Sequence, residues 1–78
     1  MVGRTDVFSV EGNIQRAAPN MTFWVLVDNG PETMIGREIL TRLNGPMRMN
    51  RIKVMPGDRV KVEVSTYDLT KGRIVYRM

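Results

Sequence analysis

Cysteine and histidine are both absent from this chain of 78 residues. Without cysteine there is no disulfide, no thiolate metal site and no thiol nucleophile. Without histidine as well, no Ser-His or Cys-His pair can form, and the usual zinc donors are missing. No apolar run approaches the length that spans a bilayer. The opening Met1-Val2-Gly3-Arg4-Thr5-Asp6 lacks the apolar stretch of a secretory signal. Neither GxxxxGK[ST] nor GxGxxG occurs, and the eight carboxylates fall into no recognisable acid/base motif. The length allows one domain, which buries only roughly 60% of its unfolded surface on folding. These absences lead to the expectation of one small, soluble, cytosolic binding domain, not an enzyme, with no cofactor, no metal and no membrane attachment.

What is present is positive charge, unevenly placed. Residues 1–46 carry four arginines against five carboxylates, whereas residues 47–78 carry eight cations against three, so the net charge of +4 divides into −1 and +5. A basic half on a small domain of sequence pI about 10.1 is the electrostatic footprint of a nucleic-acid binder. It is also compatible with a solvated face that only maintains solubility.

Period-two alternation dominates the chain. Phe8, Val10, Gly12 and Ile14 predict a first strand with a bulge or bend at Gly12. Ala18-Pro19-Asn20 punctuates it, and Met21, Phe23, Val25 and Val27 predict one face of a second strand, opposite Thr22, Trp24, Leu26 and Asp28. Asp28-Asn29-Gly30 signals a tight hairpin, followed by a short third strand over residues 32–35. Ile39, Leu40 and Leu43 sit at helical spacing, and Asn44-Gly45-Pro46 reads as a helix stop. Ile52 and Val54 resume the alternation, Pro56-Gly57-Asp58 turns the chain, and Val60, Val62 and Val64 form the clearest strand. A polar loop over residues 67–72 leads into a last strand from Arg73 to Arg77. The expected fold is all-β: a five-stranded Greek-key barrel of the OB type, over residues 7–78, with one short helix between strands 3 and 4 and residues 1–6 disordered. A small open barrel is the alternative.

Several side chains suit RNA. Trp24 falls on the polar side of its strand, where an aromatic can stack on a base or pack beneath a loop. Tyr67, just after the valine strand, faces the same choice. Met47-Arg48-Met49-Asn50-Arg51-Ile52-Lys53 alternates cations with apolar or amide residues, so Arg48, Arg51 and Lys53 offer phosphate contacts and Asn50 amide donors and acceptors. Met47 and Met49 can lie against bases or fill gaps at the barrel end. Lys71 and Arg73 flank Gly72, where a turn would present them together.

The chain also resembles a known family. Residues 45–60, GPMRMNRIKVMPGDRV, resemble the loop and fourth strand of bacterial translation initiation factor one, with its pattern GKMRxxxIRILxGDxV. Residues 62–77, VEVSTYDLTKGRIVYR, are similar to that family's ending VExxxYDxxKGRIxxR, the most specific element. Glu11-Gly12 and Pro19-Asn20-Met21-Thr22-Phe23-Trp24-Val25 match EGxVxxxLPNxxFxV, and Asp28-Asn29-Gly30 its hairpin. The resemblance implies an OB-fold protein, not an enzyme, that binds rRNA of the small ribosomal subunit at the A site during initiation and assists the other initiation factors. It would be a monomer off the ribosome. Arg48, Lys53, Lys71 and Arg73 match the family's RNA-contacting positions. Pro46 stands in place of the loop lysine, Trp24 in place of a basic residue, and Arg51 near a position where the family has an aromatic or histidine. The connection over residues 31–44 is longer by about six residues, long for a link between two elements. Such a divergent member is compatible with an organellar or phage-borne source. Two other readings stay in view: a stand-alone cold-shock-type chaperone for single-stranded RNA, against which the 6% aromatic content weighs, and an interaction module built around the expected helix.

Overall fold

Alternating burial writes five strands into the computed structural model, which describes residues 6–43, 45 and 53–78. They are β1 (Val7–Ala18), β2 (Thr22–Asn29), β3 (Glu38–Leu43), β4 (Arg59–Ser65) and β5 (Asp68–Arg77). The sheet closes on itself in the order β1-β2-β3-β5-β4, with β4 returning to β1. Every pairing is antiparallel except β3 with β5, which run parallel. Among the described residues, closure leaves no strand without a partner on both sides, which removes the main association hazard of a small sheet protein.

The interior is filled from all five strands. Val10 and Ile14 of β1, Phe23, Val25 and Val27 of β2, Ile39 and Leu43 of β3, Val60, Val62 and Val64 of β4 and Ile74 of β5 form one apolar cluster. Thr41 is the polar exception among the buried residues described, and its hydroxyl donates to the Phe23 carbonyl at 2.8 Å. A buried hydroxyl without such a partner would be costly.

The bulge expected at Gly12 is present, as a register shift between Glu11 and Gly12 in the β1–β2 ladder. A Cβ on Gly12 would lie 2.2 Å from the Leu26 carbonyl oxygen, so only glycine permits the approach. The Pro56-Gly57 turn also forms, with Gly57 at φ 96° and Asp58 N–H donating to the Met55 carbonyl. Its Gly57 N–H and Asp58 carbonyl bond back to the Ile14 backbone, docking the turn on β1.

Five expectations are corrected. The segment expected to be a helix is strand β3: Ile39 and Leu43 point inward, and Leu40 faces outward beside Trp24. The third strand expected over residues 32–35 is instead a succession of turns, with Met34 N–H donating to Pro31 and Arg37 N–H to Met34. No tight hairpin forms at Asn29-Gly30, since the chain pairs again only when Val27 N–H meets the Arg37 carbonyl and Gly36 N–H meets the Val27 carbonyl. The Met34 side chain of this longer link is fully buried in the core. Met21, expected to point inward, is exposed in the turn at φ 58°, next to Asn20 at φ 64°. Residues 68–72 belong to β5 rather than to a loop. The expectations for residues 1–5 fall outside the described residues; Asp6 is tied to the barrel by the Thr66 N–H, which donates to its carbonyl at 2.9 Å.

Two substitutions test this packing. Leu43, 4% exposed, should cost about 2–5 kcal/mol on truncation to alanine, and a loss under about 0.5 kcal/mol in chemical denaturation would place it outside the core. Gly72→Ala puts a methyl 2.5 Å from Val62 Cγ1 and 3.1 Å from the Glu63 carbonyl oxygen. It should destabilise by about 1–3 kcal/mol through overpacking, measured the same way.

Candidate nucleic-acid interface

Parallel pairing of β3 with β5 sets the register on the outside of the barrel. Thr41 lies opposite Gly72 and Leu43 opposite Ile74, pointing in; Leu40 opposite Lys71 and Arg42 opposite Arg73 point out. Lys71 and Arg73 therefore share a face because they are two apart on a strand, not because a turn gathers them. Arg42 joins them from β3. The three cations line an open groove of about 410 Å³, together with Glu63, Ser65 and Asp68.

The carboxylates of this groove temper its charge without cancelling it. Asp68 accepts from the Thr70 hydroxyl and the Thr70 N–H, and these hydrogen bonds hold its carboxyl below the ordinary aspartate value. It stays ionised and ties Asp68 to Thr70 at the start of β5. Tyr67 sits between the groove residues Ser65 and Asp68 and is 82% exposed; its N–H donates to Ser65 Oγ at 3.0 Å and its hydroxyl lies 3.4 Å from Asp6 Oδ1.

Trp24 neighbours Leu40 across the β2–β3 ladder and is half-buried. On its other side the Arg16 guanidinium lies 5.0 Å from the ring centroid and reaches Glu38 at 2.9 Å. Trp24 is thus an indole with Arg16 over one face. Lys53 is exposed, and its carbonyl accepts from Arg77 Nη1 at 3.0 Å, which fixes the chain where it enters the last turn before β4. Arg48, Asn50 and Arg51 lie outside the described residues.

Not every cation is available. Arg59 donates to Asp28 at 2.8 Å and to Glu11 at 3.3 Å, and Asn29 donates to the same Glu11 oxygen. The Arg59 hydrogen bond holds the Asp28 carboxyl below its ordinary value. This network ties β1, β2 and β4 together. Arg42 is the residue that sequence reasoning missed, because a helical reading of residues 39–43 turned it away from β5. The available signal was the period-two set Ile39, Thr41 and Leu43. Among the described residues no group of His, Cys, Asp or Glu could hold a metal ion.

Comparison with known proteins places this barrel. The profile of the family Translation initiation factor 1A / IF-1 matches residues 4–78. The chain is 47% identical over 75 residues to the chloroplastic translation initiation factor IF-1 of Pinus koraiensis, covering 96% of this chain and 92% of that protein. The solution structure of translation initiation factor IF-1 from the Wolbachia endosymbiont strain TRS of Brugia malayi superposes with a TM-score of 0.73 at 36% identity, over 97% of this chain and 83% of that one. The crystal structure of YjeQ from Thermotoga maritima shares the fold with a TM-score of 0.68 at 29% identity, over 91% of this chain but only 23% of its own. A five-stranded OB barrel, a basic outer face and a match along nearly the whole sequence converge, and the chain belongs to the translation initiation factor 1A / IF-1 family.

Proposed function

We propose that this protein binds rRNA of the small ribosomal subunit at the A site during assembly of the initiation complex, and that it does so without catalysing a reaction. The observation that carries this reading is the side-by-side placement of Arg42, Lys71 and Arg73 on one outer face, in a chain of this family. Guanidinium groups pair with phosphate oxygens through two hydrogen bonds at once, and an ammonium adds a point charge, so the cluster fits a folded RNA backbone. Lys53 and, from the segment between β3 and β4, Arg48, Asn50 and Arg51 extend the contact. Tyr67, exposed and next in sequence to the groove residue Asp68, is a further RNA contact. The protein works as a monomer off the ribosome, meets other initiation factors on it, and acts in a compartment with bacterial-type translation machinery, the cytoplasm or an organelle.

Salt supplies the first test. With six cations on phosphates, affinity for purified small subunits should fall roughly a thousandfold between about 50 and 200 mM salt, by counterion release. A flat response in sedimentation binding overturns the electrostatic reading. Lys71→Ala and Arg73→Ala should each reduce the slope of log affinity against log salt by about 1. Arg48→Ala should leave stability within about 0.5 kcal/mol of the parent, as surface changes do. It should weaken binding by about 1–3 kcal/mol, the range for hydrogen bonds to a charged group. Equal affinity for unstructured single-stranded RNA and for small subunits would favour the chaperone reading instead.

A further inference from the structure

Four outward residues from four strands form one row across the barrel. Arg16 of β1 is paired with Trp24 of β2, Trp24 with Leu40 of β3, and Leu40 with Lys71 of β5. Two residues further along β3 and β5, Arg42 and Arg73 repeat the positive charge beside Lys71. The row thus runs from an aromatic ring, over an apolar side chain, to three cations that face the same groove.

Arg16 covers one face of the ring. Its guanidinium lies over the indole and reaches across β2 to Glu38 of β3 at 2.9 Å. The ion pair and the cation–π contact together restrain the indole. Trp24 is half-buried, so part of its side chain reaches the surface in register with Leu40 of β3. Neighbouring strands stand about 4.8 Å apart, so a planar group seated over Leu40 lies one strand from Lys71 and within reach of Arg42 and Arg73 through a phosphate.

From this juxtaposition we infer that Trp24 is a stacking site for an unpaired base of the small-subunit rRNA, with Arg16 backing the indole and Lys71, Arg42 and Arg73 taking the adjoining phosphates. A base offers a flat π face of matching size, and its backbone offers the charge that the cations complement. A protein segment would find three cations beside a single apolar side chain, a poorer match. The inference rests on the ribosomal reading above and adds to it a base contact, where the cations alone provide only backbone contacts.

The chain contains one tryptophan, so this position can be watched directly. The full-length protein is prepared with 5-hydroxytryptophan, which is excited to the red of the ordinary tryptophans of ribosomal proteins, and titrated with purified small subunits. Stacking should quench its emission saturably, at the concentration at which sedimentation shows binding. Trp24→Leu keeps an apolar side chain but no ring, and should weaken binding roughly 5- to 150-fold, the range for loss of one base–aromatic stack. Trp24→Phe should retain most of the affinity, and both variants should keep the salt slope of the parent, since no phosphate contact is removed. Unchanged emission at saturation overturns the inference, and so does Trp24→Leu binding within twofold of the parent. A loss of affinity without any change in emission assigns Trp24 to packing and overturns it as well. Failure of the ribosomal reading is distinguishable, because then the unaltered protein shows no saturable, salt-dependent binding to small subunits at all, and the inference falls with it.

Discussion

The parallel ladder between β3 and β5 is the contact on which the rest of the molecule depends. It converts a run of antiparallel neighbours into a closed barrel. It works only because Gly72 offers no side chain where the sheet curves inward, within 2.5 Å of Val62 for any Cβ that stood there. Glycine in a strand usually weakens it, but at a closely approached corner it is the residue that lets two strands bend past a third. The same pairing fixes which residues of β3 and β5 point outward together. A slip of one residue would exchange Ile39, Thr41 and Leu43 with Leu40 and Arg42, burying a guanidinium in an apolar core. Fold and basic groove are therefore consequences of one register.

That register survives an eight-residue connection between β2 and β3. Residues 30–37 return to the barrel through two backbone hydrogen bonds with Val27, so β3 begins opposite Leu26. Met34 anchors the excursion by placing its unbranched side chain in the core. A flexible side chain suits such a place, because it can fill an irregular gap at the barrel end without imposing a shape. Added loop length carries little entropic cost when its middle is pinned in this way.

Charge is partitioned as well as accumulated. Arg59 is committed to Asp28 and Glu11, and Arg16 to Glu38 and the Trp24 ring. Such exposed pairs contribute little to stability. Their effect is positional: they join neighbouring strands and set the orientation of one aromatic ring. Arg42, Lys71 and Arg73 gather on a different stretch of the surface, along the β3–β5 ladder, where a polyanion could meet all three. The excess of positive charge toward the C-terminal end of the sequence thus becomes local only because β5 lies against β3.

The strands with regular alternation were legible in the sequence: the valines of β4, the bulge at Gly12, the turn at Pro56-Gly57, and with them the barrel class and the basic character. The family motifs pointed to Lys71 and Arg73. β3 was not legible, for a physical reason. Its inward row contains Thr41, a polar residue made tolerable by a hydroxyl bond to the Phe23 carbonyl, and its outward row contains Leu40, sheltered between Trp24 and β5. Both departures come from partners far along the chain, and together they turn a period-two pattern into apparent helical spacing. Met34 was hidden for the same reason, since nothing local tells a loop methionine that a barrel end awaits it. Composition and alternation determined that this chain forms strands, closes a barrel and carries positive charge. Tertiary structure alone decided which cations share a face, which are already paired and which residue covers the single tryptophan, because those properties belong to residues brought together across strands and not to any segment by itself.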